Sequence, residues 1–137
     1  MNERNDKLHL IRYRLDQAHA ALREAALLRD NSDTSLGAVN RSYYAMFYAV
    51  LALLQKIEKV PRKHSGAISL FDSEFVRKGI FPKELSAHLH QAFAVRQNSD
   101  YQAIEEISLA DTDTLIRNAQ RFIEAVEAYL KGAIAES

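Results

Sequence analysis

The sequence predicts an all-α antiparallel bundle of four to five helices, and three observations predict it. Apolar residues recur three and four apart along most of the chain, the period of helices with one face inside. Four glycines and two prolines in 137 residues leave few places to break a helix. No stretch alternates apolar and polar residues as a half-buried strand does. The length fits one domain, residues 1–137, large enough to bury a core.

The first helix is read over residues 5–29, where Leu8, Ile11, Leu15, Ala18, Leu22 and Ala25 form one stripe. The run "RDNSD" ends it and supplies caps for the next. From about Asp33 to Ile57 a second helix carries two stripes. Val39, Tyr43, Met46, Val50, Leu53 and Ile57 make one; Tyr44, Phe47, Leu51 and Leu54 make the other. A helix apolar on several faces belongs at the centre. "EKVPRKHSG" is a loop broken at Pro61, and a short helix follows from about Ser65, its cap, to Arg77, ending at Gly79. Pro82 suits the first turn of a fourth helix that runs to about Asn98. "SLAD" reads as a capping box in which Ser108 caps and Asp111 reaches back. The last helix shows Leu109, Ile116, Ala119, Ile123, Val126 and Leu130 on one side.

Composition narrows function by exclusion. Lys plus Arg and Asp plus Glu are 18 each, so no global charge steers the chain to nucleic acid or membrane. The absence of cysteine removes disulfides, thiolate catalysis and zinc–thiolate sites, and it fits a reducing cytoplasm. "MNERNDKLHL" is too polar for a signal peptide, and the apolar run "YYAMFYAVLALL" is too short for a membrane span, which takes about 20 residues. No two of the five histidines stand four apart on one helix face, so no metal site is expected, and the sequence calls for no cofactor.

Three features break the bland pattern. Leu85, Leu89, Phe93 and Arg96 fall at helical spacing, which puts a guanidinium at the next core-facing position, with Asp100 one turn on and Tyr101 beside it. A charge on an inner face costs several kcal/mol unless partnered. Two readings stay open. Either Arg96 and Asp100 close the end of the bundle with Tyr101 packed over them, or Arg96 lines a cleft and takes a phosphate, which its fork suits. The second feature is "NRSYYAMFY", where Arg41, Tyr44 and Tyr48 share a face and three phenol hydroxyls each want a polar partner. Arg96 and Asp100 could supply it if the fourth helix lies beside the second. The third is a basic loop, Lys56, Lys59, Arg62 and Lys63 with His64, which is either a solvated turn or a phosphate-facing patch.

Together, "RSYYAMFYAVLALL", "KHSGAISLFDSEFVRKG" and "RQNSDY" resemble the HEPN domain. The likeness is to the stand-alone prokaryotic branch whose late motif is Arg, three residues, Asp-Tyr. The resemblance covers roughly residues 8–130. It implies a helical bundle that forms a homodimer, with the motif Arg near a cleft between protomers. It also implies a minimal nucleotidyltransferase as partner in a toxin–antitoxin-like pair. Catalytic members of the family are metal-independent ribonucleases that carry a His four to six residues after the Arg. Here that window reads Tyr101, Gln102 and Ala103. The departure favours a module that binds nucleotide or RNA through Arg41, Tyr44, Lys63 and Arg96. The alternatives are a ribonuclease toxin using Arg96, Asp100, Tyr101 and His64, and a structural interaction module without ligand. His64 titrates nearest neutrality and is the one substitute base in view.

Overall fold

The computed structural model describes residues 3–31, 35–101 and 108–135; of residues 99–101, 134 and 135 it describes the backbone. Among the described residues five α-helices carry the fold: α1 (Glu3–Asn31), α2 (Leu36–Lys56), α3 (His64–Phe71), α4 (Lys83–Tyr101) and α5 (Leu109–Ala135). There is no strand among the described residues. No helix among them is long and apolar enough to cross a membrane.

The two stripes of α2 do what two stripes demand. More than half of its residues are buried, among them Tyr43, Met46, Val50 and Leu53 at 0% exposure. The helix packs against α1, α3, α4 and α5. By contrast α1 buries only Ile11, Ala18, Ala21 and Ala25. Its acidic first turn and Arg29 in its last turn complement the helix dipole. The α1–α2 approach is tight where the chain turns back. A Cβ on Gly37 would sit 2.9 Å from Leu28 Cδ1, so a larger residue there would have to push that flexible side-chain end aside. Lys7 meets Glu58 at 3.8 Å and Arg29 meets Asp113 at 3.1 Å. These pairs make α1 antiparallel to both α2 and α5. Thus the end of α1, the start of α2 and the start of α5 share one end of the bundle.

Helix ends follow local chemistry. Ser108 Oγ accepts the Asp111 amide at 3.1 Å, the capping half of the expected box. Gly79 adopts φ +79°, and the Ile80 and Phe81 amides donate back to the Phe75 carbonyl. The close of α2 has the same geometry without a glycine. Glu58 sits at φ +58°, its amide donating to Gln55 and that of Lys59 to Leu54. Pro82 stands just before α4 and accepts the Leu85 amide at 3.1 Å.

Three readings need correction. The third helix begins one residue earlier than expected, at His64. The extended Lys63, not Ser65, stands at its N-cap and accepts the Ala67 amide. That helix also does not run smoothly to Arg77, because Asp72–Val76 forms a π turn, with the Arg77 amide reaching Asp72 five residues back. The wider turn buries Phe71 and Phe75 fully while Asp72 faces α4. There its carboxylate accepts Ser86 Oγ at 2.6 Å and meets His90 Nε2 at 2.7 Å. Last, Leu109 opens α5 at 64% exposure rather than joining the stripe, since the first turn stands beyond the core.

Candidate functional site

The site grows from the first half of α2, the start of α3 and the last turns of α4. The α4 stripe holds: Leu85, Leu89 and Ala92 are buried, Phe93 is half-buried, and Arg96 follows, half-buried. Its guanidinium carbon lies 5.6 Å from the Tyr43 ring centre and 5.2 Å from that of Tyr44. The electron-rich ring faces attract a cation, each such contact being worth about 0.5–2 kcal/mol. Arg41 reaches the same Tyr44 ring at 4.9 Å, and its Nη1 stands 3.5 Å from Glu24 on α1. Two guanidiniums therefore converge on one phenol ring.

His64 arrives from the other side of the chain. The loop after α2 returns along the helix, and the extended Lys63 delivers the imidazole to Tyr43. His64 Nδ1 and the Tyr43 hydroxyl are 2.9 Å apart. The imidazole stacks on Phe47 at 4.2 Å and 9°, and meets the Tyr44 ring edge-on at 5.7 Å. Burial pushes the His64 pKa below its ordinary value, and the Arg96 charge pushes it further down. The ring is thus neutral near pH 7. Burial holds the Tyr43 phenol well above its ordinary range, against a downward pull from Arg96 and with a smaller upward push from Tyr44. Tyr43 stays protonated, a donor and acceptor in one group.

Of the residues singled out in the sequence, Arg41, Tyr44, His64 and Arg96 converge. Lys63 is exposed and flanks them through His64. The backbone of α4 runs through Asp100 and Tyr101, but their side chains lie outside the described residues, so the proposed Arg96–Asp100 pair does too. Among the described residues the Tyr43 hydroxyl is partnered by His64 rather than by the expected Arg96, which lies against ring faces. Sequence reasoning placed Phe47 in the core without a role, and gave Tyr43 only a hydroxyl in need of a partner. Their one visible signal was the cluster of aromatic residues two turns long, which looks the same whether rings pack on apolar neighbours or on an imidazole.

The arrangement is a half-buried cationic cluster with a neutral imidazole at its edge. It can bind an anion, and it holds a group able to move a proton at neutral pH.

Known proteins give the chain its kin. A UPF0332 protein of Thermotoga maritima is 36% identical over 127 residues, covering 93% of this chain and 96% of its own. A protein of Methanocaldococcus jannaschii named as a candidate toxin is 37% identical over 100 residues, 73% of this chain and 68% of its own. A UPF0332 protein of Gloeobacter violaceus is 34% identical over 117 residues, 85% and 92% of the two chains. The HEPN domain model matches residues 11–129, from the first buried residue of α1 to near the end of α5. By that match, and with an all-helical bundle among its described residues, the chain belongs to the HEPN domain family.

Proposed function

We propose that the Arg96 cluster binds the phosphate of a nucleotide or an RNA, and that the chain works as a cytoplasmic homodimer with a minimal nucleotidyltransferase in a toxin–antitoxin-like pair. The observation that carries the binding reading is the convergence of Arg41 and Arg96 on Tyr44, at 4.9 and 5.2 Å. Stacking two cations on one ring opposes their mutual repulsion, and an anion between them relieves it. Guanidiniums suit phosphate because their forked N–H groups match its oxygens. Lys63 adds charge at the rim. The toxin part of the reading draws on the candidate toxins among the relatives, of which a second, also from M. jannaschii, is 29% identical over 94 residues. The dimer and the nucleotidyltransferase follow from the family resemblance.

Fluorescence anisotropy with labelled RNA and with labelled ATP tests the binding. Arg96→Ala and Arg41→Ala should each weaken binding about tenfold or more. Each should also flatten the salt dependence by about one counter-ion, the signature of a lost phosphate contact. Unchanged affinity in both variants would sink the reading. Co-expression with a nucleotidyltransferase encoded nearby tests the pairing, read as co-purification and relief of growth arrest. Sedimentation reads the dimer against the 15.6 kDa chain mass.

A further inference from the structure

The end of the bundle where α1 starts and α2 and α5 finish holds a cavity of about 420 Å³. No residue of the Arg96 cluster lines it. Along α2 it lies roughly 20 Å from Tyr43, at about 1.5 Å of rise per residue. Its floor is apolar, built by Leu8 and by Ile11, which is 1% exposed. Its charged lining is uneven, with Arg4, Lys7 and Lys56 set against Glu3 and Glu58.

Two features of that lining are not called for by stability. The first is Lys56, which is half-buried. Among the described residues no carboxylate pairs with it, and its neighbour is the Tyr129 ring, 5.9 Å away. Burying a cation without an anion loses hydration that nothing replaces. The carbonyl end of α2 favours a cation in this last turn, but an exposed side chain would serve it as well. The second feature is Glu58. It holds a left-handed backbone, φ +58°, of the kind that Gly79 takes after the π turn. What its side chain adds is a contact with Lys7 at 3.8 Å, which ties the end of α2 to the start of α1 beside the cavity. Backbone strain that persists in a native fold gathers at ligand sites.

We infer that this cavity binds a small organic anion with an apolar body, a carboxylate of medium chain length, with Lys56 at its charged head and Leu8 and Ile11 under its tail. Glu58 already holds Lys7, and Arg4 is likewise engaged, so Lys56 is the cation left for a ligand. An ammonium takes a carboxylate by charge and hydrogen bonds, without the forked match that a guanidinium offers phosphate. The volume lies in the usual range for small-ligand sites, about 300–1,000 Å³. Lys56 thus separates from the basic run of Lys59, Arg62 and Lys63, because it lines a cavity with residues of α1.

Isothermal titration of the full chain tests the site, with octanoate as the probe and octylammonium and acetate as controls. Octanoate should bind with a Kd of about 0.1–1 mM, the strength expected of so small a ligand. Octylammonium has the same tail and the opposite charge, and acetate has the charge without the tail. Both should bind about tenfold more weakly or worse. Lys56→Met keeps the stem of the side chain and removes its charge, and it should weaken octanoate about 10- to 100-fold. Lys56→Arg should keep most of the affinity, which separates charge from folding. Leu8→Ser should weaken octanoate several-fold. Arg96→Ala, and Lys131→Met on α5 outside the cavity, should bind it as the unaltered protein does. Undiminished binding in Lys56→Met overturns the inference, as does equal affinity for octanoate and octylammonium. Binding lost in Arg96→Ala overturns it by moving the ligand to the other site. No octanoate binding at millimolar concentration also overturns it, and leaves the phosphate reading of the Arg96 cluster untouched.

Discussion

The molecule holds two aromatic clusters joined by α3, and they are built on opposite plans. Beyond the far end of α3, Phe71, Phe75, Phe81 and Phe122 pack ring to ring at 5.2–6.2 Å and are between 0% and 6% exposed. The polar atoms there stay at the margin, on Tyr129 and on Lys56, 5.9 Å from its ring. At the near end of α3 the same kind of ring packing includes two phenols, an imidazole and two guanidiniums. Hydrophobic burial explains the first cluster completely. The second gives up apolar contact for groups that are costly to desolvate, and stability alone does not call for them. The difference separates what holds the bundle from what the bundle holds.

The contrast can be broken most forcefully from the apolar side. Phe71→Ala should lower stability by about 3–5 kcal/mol, because it empties a fully enclosed ring site. Urea unfolding measures that loss, and the fraction that remains folded should bind RNA as before. Arg96→Ala should do the reverse, weakening anion binding about tenfold or more while lowering stability by only about 1–2 kcal/mol. If the two variants shift stability equally, the division between the clusters is false.

Acid sharpens the division further. The folded-state pKa of His64 lies below its ordinary 6.5. As pH falls through 6.5 the unfolded chain takes a proton that the folded chain refuses, so stability drops until the lower folded value is passed. Urea midpoints at pH 7.5 and 5.5 should therefore differ less in His64→Phe than in the unaltered protein. Glu74 acts in a separate window. Hydrogen bonds from Lys59 and Lys78, each at 2.7 Å, lower its pKa to about 2. Its contribution is present above about pH 4.5 and fades as pH falls toward 2. Glu74→Gln should flatten only that lower limb.

The smallest effect lies outside both clusters. Glu58 holds a left-handed conformation that costs a residue with a Cβ about 1–2 kcal/mol. Glu58→Gly should raise stability by several tenths of a kcal/mol, after the greater flexibility of glycine in the unfolded chain is subtracted. RNA binding should not change, and a change would tie the α2 terminus to the Arg96 cluster.

Much of the bundle was legible because its signals are local. Two stripes marked α2 as the central helix, Gly79 marked an end, and Ser108 marked a start. Arg96 in the α4 stripe was legible for the same reason, since a charge at an apolar position violates a pattern visible within two turns. The Tyr43–His64 pair was not. Its members are 21 residues apart on different elements, and no periodicity links a helix to the residue that a loop brings back beside it. The π turn was hidden for a related reason, since the bonds of Asp72 to Ser86 and His90 favour it and belong to another helix. Glu58 was missed because a helix end of that geometry announces itself only when a glycine occupies it.

The π turn also makes 72–76 the place where this fold can change length. One residue removed there would close the wide turn to ordinary helical pitch and leave both flanks helical. Removal elsewhere in a helix rotates everything beyond it by about 100° with no slack to absorb the twist. The segment is a joint with one spare residue. Shortening it would turn Asp72 away from Ser86 and His90, and would alter how α4 leans on α3. The angle between those two helices, and with it the reach of Arg96 toward His64, can thus be reset by a single deletion far from either side chain.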